Sequence, residues 1–102
     1  MRYNKLVRDK IPEIIEKDGL KPLIHTANDR EYWEKLKQKL LEESKEFFKK
    51  SSEEEFADIL EVLDAICEFK NFDQNKIKMI KKKKAEKRGR FSKRIILDKV
   101  KE

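Results

Sequence analysis

Apolar residues recur along most of this chain at three- and four-residue intervals, the spacing of one face of an α-helix. Trp33, Leu36, Leu40 and Phe47 form one such stripe, and Ile59, Val62, Ile66 and Phe69 form a second. The residues between the stripes set the elements. Pro12 suits the first turn of a short helix over 11–17, which Asp18-Gly19 stops. Asn28 or Asp29 caps a helix over 30–49. Ser52 and Glu55 fit a capping box that opens a helix over 52–70, with Asn71 at its end. Asp73 caps a fourth helix over 74–87, terminated by Arg88-Gly89. Inward positions are Ile11, Ile14 and Ile15 in the first helix, and Ile77, Ile80 and Ala85 in the fourth. Residues 21–26 and the tail 91–100, with its Ile95-Ile96 pair, read as extended and are expected to pair as a short two-stranded ribbon. The pattern predicts a mainly α protein, a compact bundle of about four helices forming one domain over 1–102.

Carboxylates interrupt both stripes. Glu43 falls between Leu40 and Phe47, with Glu46 at the border of that face and Glu42 pointing away. Glu55 continues the line of Ile59, Val62 and Ile66, with Asp58 at its edge, while Glu61, Asp64 and Glu68 lie on the far side. Burying an ionised group on a core-facing stripe costs several kcal/mol unless it is paired. Taken singly, Glu43 and Glu46 are expected to pair with lysines and Glu55 to cap its own helix. Taken together, two i,i+3 acid pairs on neighbouring helices crowd like charges, and a shared divalent cation relieves that crowding. Oxygen-only ligands favour Mg²⁺, Mn²⁺ or Ca²⁺ over zinc. Glu43, Glu46, Glu55 and Asp58 are therefore the candidate metal ligands.

Composition narrows the partners. Charged residues make up 47% of the 102 positions and the formal net charge is +6, which suits anionic ligands: nucleotides, nucleic acid or acidic surfaces. Basic residues concentrate between Lys76 and Arg94, including the run Lys81 to Lys84. Lysines at successive helical positions point all round the helix, and no groove-reading or base-stacking module accompanies them. Lys84, Arg88 and Arg90, where the chain reverses, are the candidates for holding polyphosphate. The alternative function is a non-enzymatic basic helical module that binds nucleic acid or an acidic partner, with nucleic acid the weaker of the partners considered. Cys67 is the single cysteine, so no intrachain disulfide forms and a reducing, cytoplasmic setting is expected. No apolar run is long enough to span a membrane, and no signal peptide is recognised. The lone His25 is read as a surface or packing residue, and Trp33 as core in preference to a base-stacking platform. A chain this short leaves much apolar surface exposed, which favours an oligomer.

The acidic pattern, Glu42-Glu43-x-x-Glu46 followed by Glu55-x-x-Asp58, resembles the EExxE…ExxD signature of the all-α nucleoside triphosphate pyrophosphatases, the MazG-like superfamily. The opening YNKLVRDKIPEII, Tyr3 to Ile15, and the closing KAEKRGRFSKRIIL, Lys84 to Leu97, resemble its small phosphoribosyl-ATP pyrophosphohydrolase-like branch. By position, the resemblance implies Mg²⁺ at Glu43, Glu46, Glu55 and Asp58, with Mn²⁺ as a substitute, and leaves Glu42 a structural acid. It implies phosphate contacts at Lys84 and Arg88, and a helical bundle completed by dimerisation or as a tetramer. It also implies hydrolysis of the α–β phosphate bond of a nucleotide to a monophosphate and pyrophosphate, with Glu43, Glu46, Glu55 and Asp58 as the catalytic carboxylates.

Overall fold

The computed structural model describes residues 3–102, and among these the secondary structure is four helices without strands. They are α1 (Ile11–Lys17), α2 (Asp29–Lys49), α3 (Glu53–Phe69) and α4 (Gln74–Arg88). The chain divides into two compact units, one ending at Lys70 and the other spanning Asn71–Glu102.

In the first unit, α2 and α3 form a helical hairpin across the short turn at Lys50, Ser51 and Ser52. Capping by side-chain oxygens fixes both starts. Asn28 accepts the Glu31 N–H at 2.9 Å, and Ser52 accepts the Glu55 N–H at 3.3 Å. Both satisfy donors that the first helical turn leaves unpaired. Asn71, just past α3, takes the left-handed conformation with φ 56°, a role asparagine fills when glycine is absent.

The two stripes meet as the periodicity predicts. Phe47 packs against Phe56 near the turn, at 5.6 Å between ring centroids. At the other end Trp33 stacks parallel to Phe69 at 6.1 Å, and Lys70 lies 4.0 Å over the Trp33 ring. The helices therefore run antiparallel. Between these ends sit Leu36 and Val62, 0% and 7% exposed, the buried apolar residues of the described chain. Trp33 is half-buried in this packing, as expected of a core aromatic.

Ahead of α1, the segment 4–10 lies along the hairpin. The Lys35 ammonium donates to the Asn4 carbonyl at 2.7 Å, and the Ile11 N–H donates to the Arg8 carbonyl at 3.0 Å. Pro12 occupies the first turn of α1, and Gly19, with φ 81°, follows its end. Ile11 and Ile15 are half-buried, but Ile14, expected inside, is 49% exposed. Seven residues make two turns, which offer the hairpin one narrow edge only.

In the second unit, Asp73 caps α4 by accepting N–H groups of Asn75 and Lys76, and Gly89, with φ 79°, ends it. Ile77 and Ala85 are half-buried, while Ile80, expected inward, is 45% exposed. The lysines of α4 are exposed on every side. The expected ribbon is corrected: neither 21–26 nor 91–100 carries strand structure. A turn closes from the Arg94 N–H to the Phe91 carbonyl at 3.1 Å, with Arg94 left-handed at φ 57°. It bends the tail immediately before Ile95-Ile96. An isolated two-stranded ribbon is also marginal without an apolar layer on one face, and Leu23, Ile24, Ile95 and Ile96 are all largely exposed.

Candidate metal centre

Helical register brings three of the four candidate carboxylates together. Glu43 lies seven residues beyond Leu36 on α2, so it emerges from the same face as the buried leucine. Asp58 and Glu55 precede Val62 by four and seven residues on α3 and emerge from the face opposite. Glu43, Glu55 and Asp58 each place a carboxylate oxygen within 4.8 Å of the others, and all three are half-buried. Glu46 stands exposed, outside this group. Ten residues from Leu36, it points roughly 80° away from the packed face at about 100° per residue.

Two local devices turn these side chains inward. At the start of α3 the expected capping box forms only by half. Ser52 accepts the Glu55 N–H, but the Ser52 N–H donates to the Lys50 carbonyl at 2.8 Å. The Glu55 carboxylate thus serves the acidic group in place of its own helix end. On α2, Lys39 reaches Glu43 and Glu42, both at 3.5 Å, so the expected lysine partner of Glu43 exists and leaves its second oxygen available. Glu42 is also met by Lys5 at 3.3 Å, which fits a structural acid.

A further cation comes from the segment before α1. Arg8 donates to Asp58 at 2.9 Å and approaches Glu61 at 3.9 Å. The same segment walls a groove of about 790 Å³ whose lining includes Arg8, Lys39, Glu43, Asp58, Glu61 and Glu68. Lys39 had a sequence signal, since it precedes Glu43 by one helical turn. Arg8 had none, because its partner lies 50 residues away in the chain.

The donor set fits a hard cation. Ion–oxygen distances of about 2.0–2.6 Å place ligand oxygens up to roughly 4–5 Å apart across one ion. The observed separations lie within that reach, and the donors are carboxylate oxygens throughout. Lys84 and Arg88 lie on α4 and Arg90 just beyond it, all exposed within the second unit. His25 is exposed and pairs with Glu31 at 2.8 Å, consistent with a surface role. Cys67 is half-buried on α3. No helix of the described residues is long and apolar enough to cross a membrane.

No family model and no solved structure match the chain. Over 39 residues it is 54% identical to a protein of Mycolicibacterium smegmatis described as uncharacterized, a match covering 38% of this chain. The chain spans 40% of the length of that relative.

Proposed function

We propose that the protein is a divalent-cation-dependent nucleotide pyrophosphohydrolase of the MazG-like kind, cleaving the α–β phosphate bond to release a monophosphate and pyrophosphate. The observation that carries this reading is the convergence of Glu43, Glu55 and Asp58 from facing helices. Like charges are gathered there at half-buried positions, an arrangement that favours a bound cation over the empty site. When bound, Mg²⁺ supplies charge neutralisation on phosphoryl oxygens and acidifies a coordinated water. Glu43, Glu55 and Asp58 would hold the ion, with Glu46 at the edge of α2 a further proposed ligand on the strength of the resemblance. A carboxylate oxygen of the group accepts the proton of the attacking water. The new bond forms from that water oxygen to the α-phosphorus, and the bond to the β-phosphate bridging oxygen breaks. Such transfers depend chiefly on positioning and charge. Lys84, Arg88 and Arg90 are proposed polyphosphate contacts, on the strength of the resemblance and of their exposure.

The proposal extends to a homodimer. A second apolar stripe, Phe56, Leu60 and Leu63, runs along α3 at 4/3 spacing, and Leu41 and Phe48 project from α2; all five are exposed. With Leu36 and Val62 alone buried among the described residues, a second copy covering this stripe supplies the core that one chain lacks. The function is tested by incubating purified protein with a nucleotide panel and Mg²⁺. Pyrophosphate release that stops on chelation is expected. Turnover of no nucleotide, or turnover indifferent to chelator, contradicts the reading.

A further inference from the structure

The cation that faces Asp58 in the structure belongs to the protein itself. Arg8 is held at its backbone, where its carbonyl accepts the Ile11 N–H, and the neighbouring Asn4 carbonyl is held by Lys35. Its side chain is tied by a charge-assisted hydrogen bond to Asp58 at 2.9 Å and by an ion pair with Glu61 at 3.9 Å. Arg8 and Glu61 are both well exposed and Asp58 is half-exposed, so these contacts are solvent-screened and weakly held. The guanidinium thus has a fixed base and an exchangeable tip, inside the groove that also contains Glu43 and Asp58.

We propose that Arg8 is the exchangeable counter-cation of the carboxylate group, displaced from Asp58 by a divalent ion and turned to the phosphate of the incoming ligand. The proposal rests on the metal-site reading and deepens it. Charge balance gives the direction. Glu43, Glu55 and Asp58 carry three negative charges, against which Lys39 and Arg8 set two positive ones. The groove also holds Asp9, Glu61, Asp64 and Glu68 against Lys5 and Lys10, so it stays negative until a divalent ion offsets two of the charges, and an anion is then drawn by the ion and by Arg8. Of the cations present, a guanidinium is the one whose planar fork meets two phosphate oxygens together. Arg8 therefore couples the two ligands: it opposes the metal when alone and holds the phosphate when the metal is in place.

The test uses Mn²⁺ and inorganic tripolyphosphate on the full chain, without turnover. Free Mn²⁺ is counted by electron paramagnetic resonance, and tripolyphosphate binding to the Mn²⁺-loaded protein is followed by calorimetry. Arg8→Gln should bind Mn²⁺ about two- to fivefold more tightly, as expected when one exposed opposing charge is removed. It should bind tripolyphosphate about tenfold more weakly, the loss of a charge-assisted contact. Arg8→Lys retains the charge without the fork, so its Mn²⁺ affinity should stay near wild type while its tripolyphosphate affinity falls between the two. Circular dichroism melts of both variants establish that they are folded. An Arg8→Gln protein unchanged in either affinity overturns the proposal. Asp58→Asn separates this outcome from failure of the metal site. If wild type binds no Mn²⁺, or binds it equally well after Asp58→Asn, the carboxylate reading falls and the proposal falls with it.

Discussion

Replacing Glu55 by glutamine should raise the stability of the metal-free protein and abolish its stabilisation by metal. Glu55 shares its surroundings with Glu43 and Asp58, with ligand oxygens within 4.8 Å. Two unit charges at that distance repel by about 0.9 kcal/mol in a water-like dielectric and by about 3.5 kcal/mol at an effective value of 20. Glu55 takes part in two such pairs, which gives roughly 1.7 kcal/mol of relief in the water-like limit, less the attraction lost to Arg8 and Lys39 beside the group. Against this stands the favourable interaction of a carboxylate with the start of α3, about 0.3–1 kcal/mol. Among the described residues Glu55 has no ion-pair partner to lose, whereas Asp58 has Arg8 and Glu43 has Lys39. The Ser52 cap survives, because it uses the backbone N–H of residue 55. The balance is a gain of up to about 1 kcal/mol, which raises the melting temperature by at most roughly 4–8 °C for a chain of this size. Wild-type protein at a hundredfold excess of cation over its dissociation constant should gain about 2.7 kcal/mol that the variant does not. Thermal melts with chelator and with saturating Mn²⁺ should therefore cross, the variant higher in the first and lower in the second. A variant less stable than wild type in chelator, or one stabilised by Mn²⁺ to the same degree, would refute the reasoning.

Leu36→Ala removes the fully buried side chain of the hairpin and should cost about 2–5 kcal/mol, read from chemical denaturation of the metal-free protein. Glu43→Gln should lose most Mn²⁺ affinity, while Glu46→Gln, altering an exposed acid outside the converged group, should lose less in the same titration. Leu60→Glu places a charge on the exposed stripe of α3, and analytical ultracentrifugation should show a shift from dimer to monomer. Lys84→Ala, Arg88→Ala and Arg90→Ala combined should raise the KM for a nucleotide with melting temperature unchanged. If that variant instead loses tight, salt-sensitive, metal-independent binding to DNA or RNA, the basic-module reading gains.

Helix positions were legible because their signals are local. Asn28, Ser52 and Asp73 each cap where a polar residue precedes an apolar-periodic run, and no helix end shifts by more than one residue from expectation. The packed stripe was legible for a similar reason: Leu36 and Val62 sit at the centres of the two periodic patterns. The orientation of Glu43, Glu55 and Asp58 followed from the same periodicity, and so did the border position of Glu46. Contacts that depend on distant segments were not legible. Arg8 meets Asp58 only because the segment before α1 returns along the hairpin, which no residue near Arg8 announces. The capping box at Ser52 misled for a subtler reason. The motif allows the Glu55 carboxylate to turn back, but the turn geometry gives the Ser52 N–H to Lys50 first. Exposure of Ile14 and Ile80 reflects how little apolar surface short or lysine-rich helices offer for packing, which periodicity alone does not contain.

The central claim is that acids from facing helices share one hard cation and that this cation serves to hold phosphate. Anomalous diffraction from crystals grown with Mn²⁺ and a non-hydrolysable nucleoside triphosphate tests it most directly. The account predicts a peak about 2.0–2.6 Å from carboxylate oxygens of Glu43, Glu55 and Asp58, with phosphate oxygens completing the shell. A peak held by other residues, or nucleotide bound with the three carboxylates metal-free, would contradict it.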